Sequence, residues 1–241
     1  MRLYLILTVI LFSLVFYLNR AYASPYDLIG QKNLQTPYTK DTFIIQNPPS
    51  YYNTDKLTTL KYVAMGDSLT AGVGSDKYQD TFPYVYAQNL LNKSYEVTFV
   101  NLSEPGITSS ELVKNQLSKA ITENPDYITL LIGINDVHNF NSLDQFRKNL
   151  STTLNELHTS THANITLMTI PLLGVDNFPY PFNYLLQRRT NEFNQAIKTL
   201  PEIKYARLVD LYLPGPDYYS SDKFHPNNQG YIFWGKLINA D

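Results

Sequence analysis

From Leu60 onward the chain alternates short, nearly continuous apolar runs with longer amphipathic ones, and this alternation narrows the fold more than any other feature. The apolar runs are Leu60 to Met65, Tyr95 to Leu102, Tyr127 to Ile132, Ile165 to Ile170 and Ala206 to Leu211. Strands apolar along their whole length are buried on both faces, as in a parallel sheet. Between them lie helix-like stretches: Thr81 to Leu91, Ser109 to Ile121, Leu143 to Leu157, Tyr184 to Leu200 and Asn227 to Ile238. In the third of these, Leu143, Phe146, Leu150, Leu154 and Leu157 recur every three or four residues and form one apolar stripe. Alternating β and α units predict a doubly wound α/β domain with five parallel strands and helices on both sides.

Upstream of that domain the pattern is different. Arg2 precedes an apolar run from Leu3 to Leu18, and Ala21-Tyr22-Ala23 forms a small-residue cleavage site before Ser24. The expectation is a secretory signal peptide over residues 1–23, or a short signal anchor if it is not cleaved. Either outcome places the body outside the cytoplasm, secreted or tethered to a membrane at its N-terminus. Residues 24–59 carry Pro25, Pro37, Pro48 and Pro49 with no sustained period, and read as an extended arm. Within it the patch Phe43-Ile44-Ile45 can dock as an edge strand. Residues 60–241 form the remaining domain.

Charge and cysteine usage close off several functions. The whole chain has 19 basic and 21 acidic residues, a net charge of −2; without Arg2 and Arg20 this becomes 17 − 21 = −4. An acidic body without clustered Lys and Arg argues against a nucleic-acid partner. The chain has no cysteine, which removes disulfides, thiol nucleophiles and cysteine-ligated zinc. Gly72-Val73-Gly74 lacks the third glycine of a dinucleotide loop, where Lys77 stands. His158 and His162 are four apart but have no third ligand in the sequence. His138, His158 and His162 are expected at the surface, although His138 stands close enough to the Gly133 segment to line a cleft.

In an open parallel sheet, function gathers beyond the carboxyl ends of the strands. Four segments follow the apolar runs there: Gly66-Asp67-Ser68-Leu69, then Asn101-Leu102-Ser103-Glu104-Pro105-Gly106, then Gly133-Ile134-Asn135-Asp136, and last Asp222-Lys223-Phe224-His225. A serine hydroxyl becomes a nucleophile when an imidazole accepts its proton, and a carboxylate fixes that imidazole's tautomer. Ser68, His225 and Asp222 suit those roles. The tetrahedral intermediate then needs donors for its oxyanion, which the backbone N–H groups of Ser68 and Gly106 and the amide of Asn135 can supply. Asp67 and Asp136 read as structural hydrogen-bonding residues.

These four segments, in this order, resemble the conserved blocks of the GDSL-type esterases/lipases of the SGNH hydrolase superfamily, over roughly Leu60 to Asp241. The resemblance implies a flavodoxin-like three-layer α/β/α sandwich and hydrolysis of carboxylic esters through an acyl-enzyme, without metal or organic cofactor. Lysophospholipids and glycan O-acyl esters are the candidate substrates. The same triad also serves acyl transfer to an acceptor other than water, and a catalytically inactive surface binding module is the non-enzymatic alternative. The aromatic loops Pro171 to Tyr184, with Phe178, Tyr180, Phe182 and Tyr184, and Tyr212 to Tyr219 either shape specificity or cover the sheet edge. Oligomeric state is open.

Overall fold

A computed structural model describes residues 42–46, 59–92, 94, 96–173 and 178–239. The chain divides into two units, Met1–Leu34 and Gln35–Asp241, and every described residue belongs to the second. The apolar run 3–18, the Ala21-Tyr22-Ala23 site and most of the arm lie outside the described residues.

The strands are β1 (Thr42–Gln46), β2 (Thr59–Gly66), β3 (Glu96–Asn101), β4 (Tyr127–Leu131), β5 (Asn164–Met168) and β6 (Ala206–Val209). They form one sheet in the order β1-β3-β2-β4-β5-β6. From β2 to β6 every pairing is parallel. Ordered as 2-1-3-4-5 among themselves, these five strands have the flavodoxin-like arrangement, whose switch point flanks the first strand, here β2.

The sheet has six strands where the alternation predicts five. The sixth is the arm segment around Phe43: β1 pairs antiparallel with β3, with Thr42 opposite Val100 and Gln46 opposite Glu96. Its register is fixed by side chains. Phe43 stacks on Tyr78 at 4.2 Å and tilts against Phe99 at 5.7 Å, while Ile45 is buried and Ile44 is exposed, the period-2 alternation of an edge strand.

The helices are α1 (Ser68–Ala71), α2 (Phe82–Leu90), α3 (Ser109–Leu112), α4 (Ser118–Thr122), α5 (Ile134–His138), α6 (Leu143–Ser160), α7 (Phe182–Thr199) and α8 (Asn228–Ile238). A π-helical segment, Val113–Leu117, joins α3 to α4. Local caps fix several helix starts. Thr108 and Glu111 make a reciprocal capping box at α3, and Asn227 accepts the Gly230 N–H at α8. The α6 stripe is buried at Phe146, Leu150, Leu154 and Leu157. Helices α2 and α8 pack together, as do α6 and α7, where Phe146 meets Phe193 with ring centroids 4.8 Å apart. Tyr62 to Met65, at the centre of β2, are wholly buried, so the strand that carries the serine is anchored in the middle of the core.

Candidate active site

Ser68 is the first residue of α1, directly after β2. Gly66 enters this turn at φ +156°, and a methyl there would lie 2.2 Å from Thr70 Oγ1 and 2.3 Å from the Leu131 carbonyl oxygen. Only glycine fits. Asp67 caps the helix, its Oδ1 accepting the Leu69 N–H at 3.0 Å. The Ser68 N–H is therefore one of the helix's unpaired N-terminal donors.

On the far side, the Asp222 to His225 loop places both side chains locally. Asp222 Oδ1 accepts the Ser220 hydroxyl at 2.6 Å and the N–H groups of Phe224 and His225 at 2.8 and 2.9 Å. Its Oδ2 lies 2.6 Å from His225 Nδ1, and His225 Nε2 lies 3.0 Å from Ser68 Oγ. The three residues thus form one continuous hydrogen-bonded line, with the two carboxylate-loop side chains at most 4% exposed. Burial pushes the Asp222 carboxyl up, but the hydrogen bond and charge of His225, with the Ser220 and Phe224 donors, outweigh it and bring the pKa down to about 2. The carboxylate remains ionised and holds the imidazole with Nε2 facing the serine. Such a line can carry a proton from Oγ to Nε2 as the oxygen attacks an acyl carbon.

Gly106 lies in the turn Glu104-Pro105-Gly106-Ile107, closed by the Ile107 N–H on the Glu104 carbonyl at 3.5 Å. Its φ of +82° is what the second central position of a type II turn requires after proline. The same turn is tied to the serine's strand, because the Glu104 N–H donates to the Gly66 carbonyl at 3.1 Å. Asn135, fully buried in α5, donates through Nδ2 to the Ile107 carbonyl at 2.8 Å and more weakly to Asp67 Oδ2 at 3.4 Å.

Asp67 and Asp136 make the hydrogen bonds expected of them. Asp136 accepts the Ser109 N–H and hydroxyl, both at 2.8 Å, tying α5 to α3. Burial raises the Asp67 carboxyl to about 7, reinforced by the Asp136 charge and moderated by the Leu69 N–H. Asp136 is likewise raised by burial and held back by its Ser109 bonds.

The histidine expectation needs one correction. His158 and His162 are exposed, but His138 is 5% exposed, covered by rings from two distant loops. Its ring centroid is 5.3 Å from Phe224 and 6.3 Å from Phe178, and Phe224 in turn meets His225 at 4.8 Å. Burial lowers its pKa to about 4, so the imidazole is neutral near pH 7. No group of three or more metal-ligating side chains occurs among the described residues.

Two supporting residues escape a reading of strand-end loops. Gln116, fully buried in the π-helical segment, accepts the Gly66 N–H at 3.0 Å and donates to the Gly66 carbonyl at 2.8 Å. It pairs with the backbone two residues before the serine as a strand would. Asn149 of α6 donates to the hydroxyls of Ser109 and Ser110 at 2.9 and 2.8 Å, completing the network around Asp136. Neither has a signature beyond a polar residue on an otherwise apolar helix face.

Residues 64–232 match the GDSL-like lipase/acylhydrolase family. The spore germination lipase LipC of Bacillus licheniformis is 27% identical over 211 residues, 76% of this chain and 96% of that protein. Among solved structures, a lipase from a goat rumen metagenome superposes with a TM-score of 0.64 at 22% identity, covering 75% of this chain and 96% of its own. A lipase/acylhydrolase from Enterococcus faecalis gives 0.56 at 26%, covering 74% and 93%, and an acetylxylan esterase of Geobacillus stearothermophilus gives 0.58 at 20%, covering 74% and 92%. The family match takes in the segments of Ser68, Gly106, Asn135, Asp222 and His225 and well over half of the sequence, so the chain belongs to the GDSL-like lipase/acylhydrolase family of carboxylic ester hydrolases.

Proposed function

We infer that the protein is an extracytoplasmic serine esterase that cleaves carboxylic esters through an acyl-enzyme. The observation that carries this reading is the unbroken line from Asp222 through His225 to Ser68, at 2.6 and 3.0 Å. Ser68 Oγ attacks the ester carbonyl as His225 Nε2 takes its proton. The alkoxide leaving group then departs with that proton, and Asp222 stabilises the transient imidazolium. Water, deprotonated by the same imidazole, releases the acid and restores the serine. The oxyanion of each tetrahedral intermediate is received by the Ser68 and Gly106 N–H groups and by Asn135 Nδ2, which leaves its 3.4 Å contact with Asp67.

The N-terminal features of the sequence support export: Arg2, the apolar run and Ala21-Tyr22-Ala23 suit residues 1–23 as a signal, followed by an arm and the catalytic domain. For substrates, the curated relative is named a spore germination lipase and one structural neighbour an acetylxylan esterase, and the candidates here are lysophospholipids and glycan O-acyl esters. Replacing Ser68 by Ala is expected to abolish p-nitrophenyl ester hydrolysis and fluorophosphonate labelling while leaving the thermal melt unchanged. Undiminished turnover in that variant refutes the reading.

A further inference from the structure

Large apolar side chains exposed on a soluble surface are ordinary when scattered and informative when they gather. Among the described residues they gather. Apart from Ile44, those exposed are Phe140, Leu172, Tyr180, Tyr184, Leu185 and Tyr212, between 41% and 82% accessible. Each lies in a connection leaving the carboxyl end of β4, β5 or β6, or in the first turn of α7 to which one such connection leads. That is the edge of the sheet where Ser68 and His225 stand. The opposite edge has a different character. A groove of about 740 Å³ there is lined by Asn89, Asn92, Asn164, Asn239, Lys204 and Arg207 along with several tyrosines and apolar residues, and by no carboxylate.

The direction of β1 adds a second observation. Because β1 runs antiparallel to β3, with Thr42 opposite Val100 at the carboxyl end of that strand, the chain enters the sheet at the catalytic edge. The sequence upstream of Thr42 includes the apolar run from Leu3 to Leu18. Along the chain, that run is therefore connected to the sheet at its apolar edge rather than at the polar one.

We propose that the catalytic edge docks on a phospholipid bilayer, with Phe140, Leu172 and Leu185 entering the acyl boundary and Tyr180, Tyr184 and Tyr212 at headgroup depth. Tyrosine favours that depth because its ring is apolar and its hydroxyl remains hydrated. Docking is peripheral, since no helix among the described residues is long and apolar enough to cross a membrane. It presents the serine to esters held in or on the lipid surface, and it rests on the reading of this edge as an esterase site.

The absence of cysteine makes the test direct. Single cysteines replace Phe140, Leu185 or, as a control on the opposite edge, Asn92 in the full chain, each labelled with a polarity-sensitive fluorophore. Vesicles of equimolar phosphatidylcholine and phosphatidylglycerol are expected to blue-shift the labels at 140 and 185, with quenching by brominated lipid, and to leave the label at 92 unchanged. Equal responses at all three positions overturn the proposal. So does a shift at 140 and 185 that needs no vesicles and grows with protein concentration, which assigns the face to a second copy. In a second measurement, Phe140→Asn combined with Leu185→Gln is expected to slow hydrolysis of a vesicle-embedded fluorogenic ester about tenfold or more, with soluble p-nitrophenyl acetate turnover unchanged. Equal loss on both substrates overturns docking but not esterase activity, which Ser68→Ala tests separately on the soluble ester.

Discussion

Gly74 leaves no room for a side chain against His225: a methyl added at Gly74 would lie 2.9 Å from His225 Cβ and 2.6 Å from the Pro226 carbonyl oxygen. The turn after the serine's helix is thus the floor on which the histidine loop rests. Gly74 also has φ +95°, where a side chain is strained. Gly74→Ala is expected to displace the imidazole from Ser68 and reduce kcat about 10- to 100-fold with KM little changed, since misplacement by about 1 Å can cost that much. Steady-state kinetics on a soluble p-nitrophenyl ester, beside a circular dichroism melt, check it.

Asp222→Asn keeps the shape but loses the charge that fixes the His225 tautomer. A fall in kcat/KM of about 100- to 10,000-fold is expected. The same substitution alters acid stability. The Asp222 pKa is depressed to about 2 in the fold, against about 3.9 when unfolded. Its stabilisation is complete above the unfolded value and disappears as pH falls through the folded one. Melting temperatures of the wild type should therefore drop between pH 4 and 2 more steeply than those of the variant.

Two buried groups pull stability in opposite directions through mildly acidic pH. Asp67, raised to about 7, holds a proton in the fold that the unfolded chain has released above about 3.9, so it makes stability fall as pH rises from 4 to 7. His138, lowered to about 4, lacks a proton that the unfolded chain binds below about 6.5, so it makes stability rise between pH 4 and 6.5. Asp67→Asn is expected to expose the His138 slope, with melting temperature increasing from pH 4 to 6.5. His138→Gln is expected to expose the reverse slope of Asp67, to which Asp136 adds. Thermal melts of both variants across that range decide it.

Phe43 holds the edge strand through its stack on Tyr78 and its tilt against Phe99. Phe43→Ala is expected to cost about 1 to 3 kcal/mol, less than a fully buried phenylalanine because the residue is only half-buried. Hydrogen exchange should accelerate in β1 and at the β3 amides that face it, while the β4–β5 ladder remains protected.

The parts of the site legible in the sequence are those built from neighbours. Asp222 and His225 share one short loop, and Ser68, Gly106 and Asn135 each follow an apolar run closely. What stayed hidden depends on residues far apart in the chain. The Phe43 patch reads as an edge strand in the sequence, but its partner, Phe99, lies 56 positions on and is not legible there. His138 is a polar residue at the end of the short helix α5, and its burial comes from Phe178 and Phe224. Asn135 stands where its segment places it, but its bond to the Ile107 carbonyl depends on the path of the Gly106 turn. The three- and four-residue spacing of an α-helix also gives no warning of the π-helical segment that carries Gln116.

That segment has a consequence for how the chain tolerates length changes. A π-helical stretch holds one residue more per span than an α-helix, and removing a residue between Val113 and Leu117 would let the helix close into regular α geometry with its apolar faces largely kept. About 100° of rotation accompanies each residue at 3.6 per turn, so Gln116 would swing off Gly66 and leave its buried N–H unpaired beside the nucleophile. In this helix, a single-codon deletion that packing would forgive is one that catalysis would not.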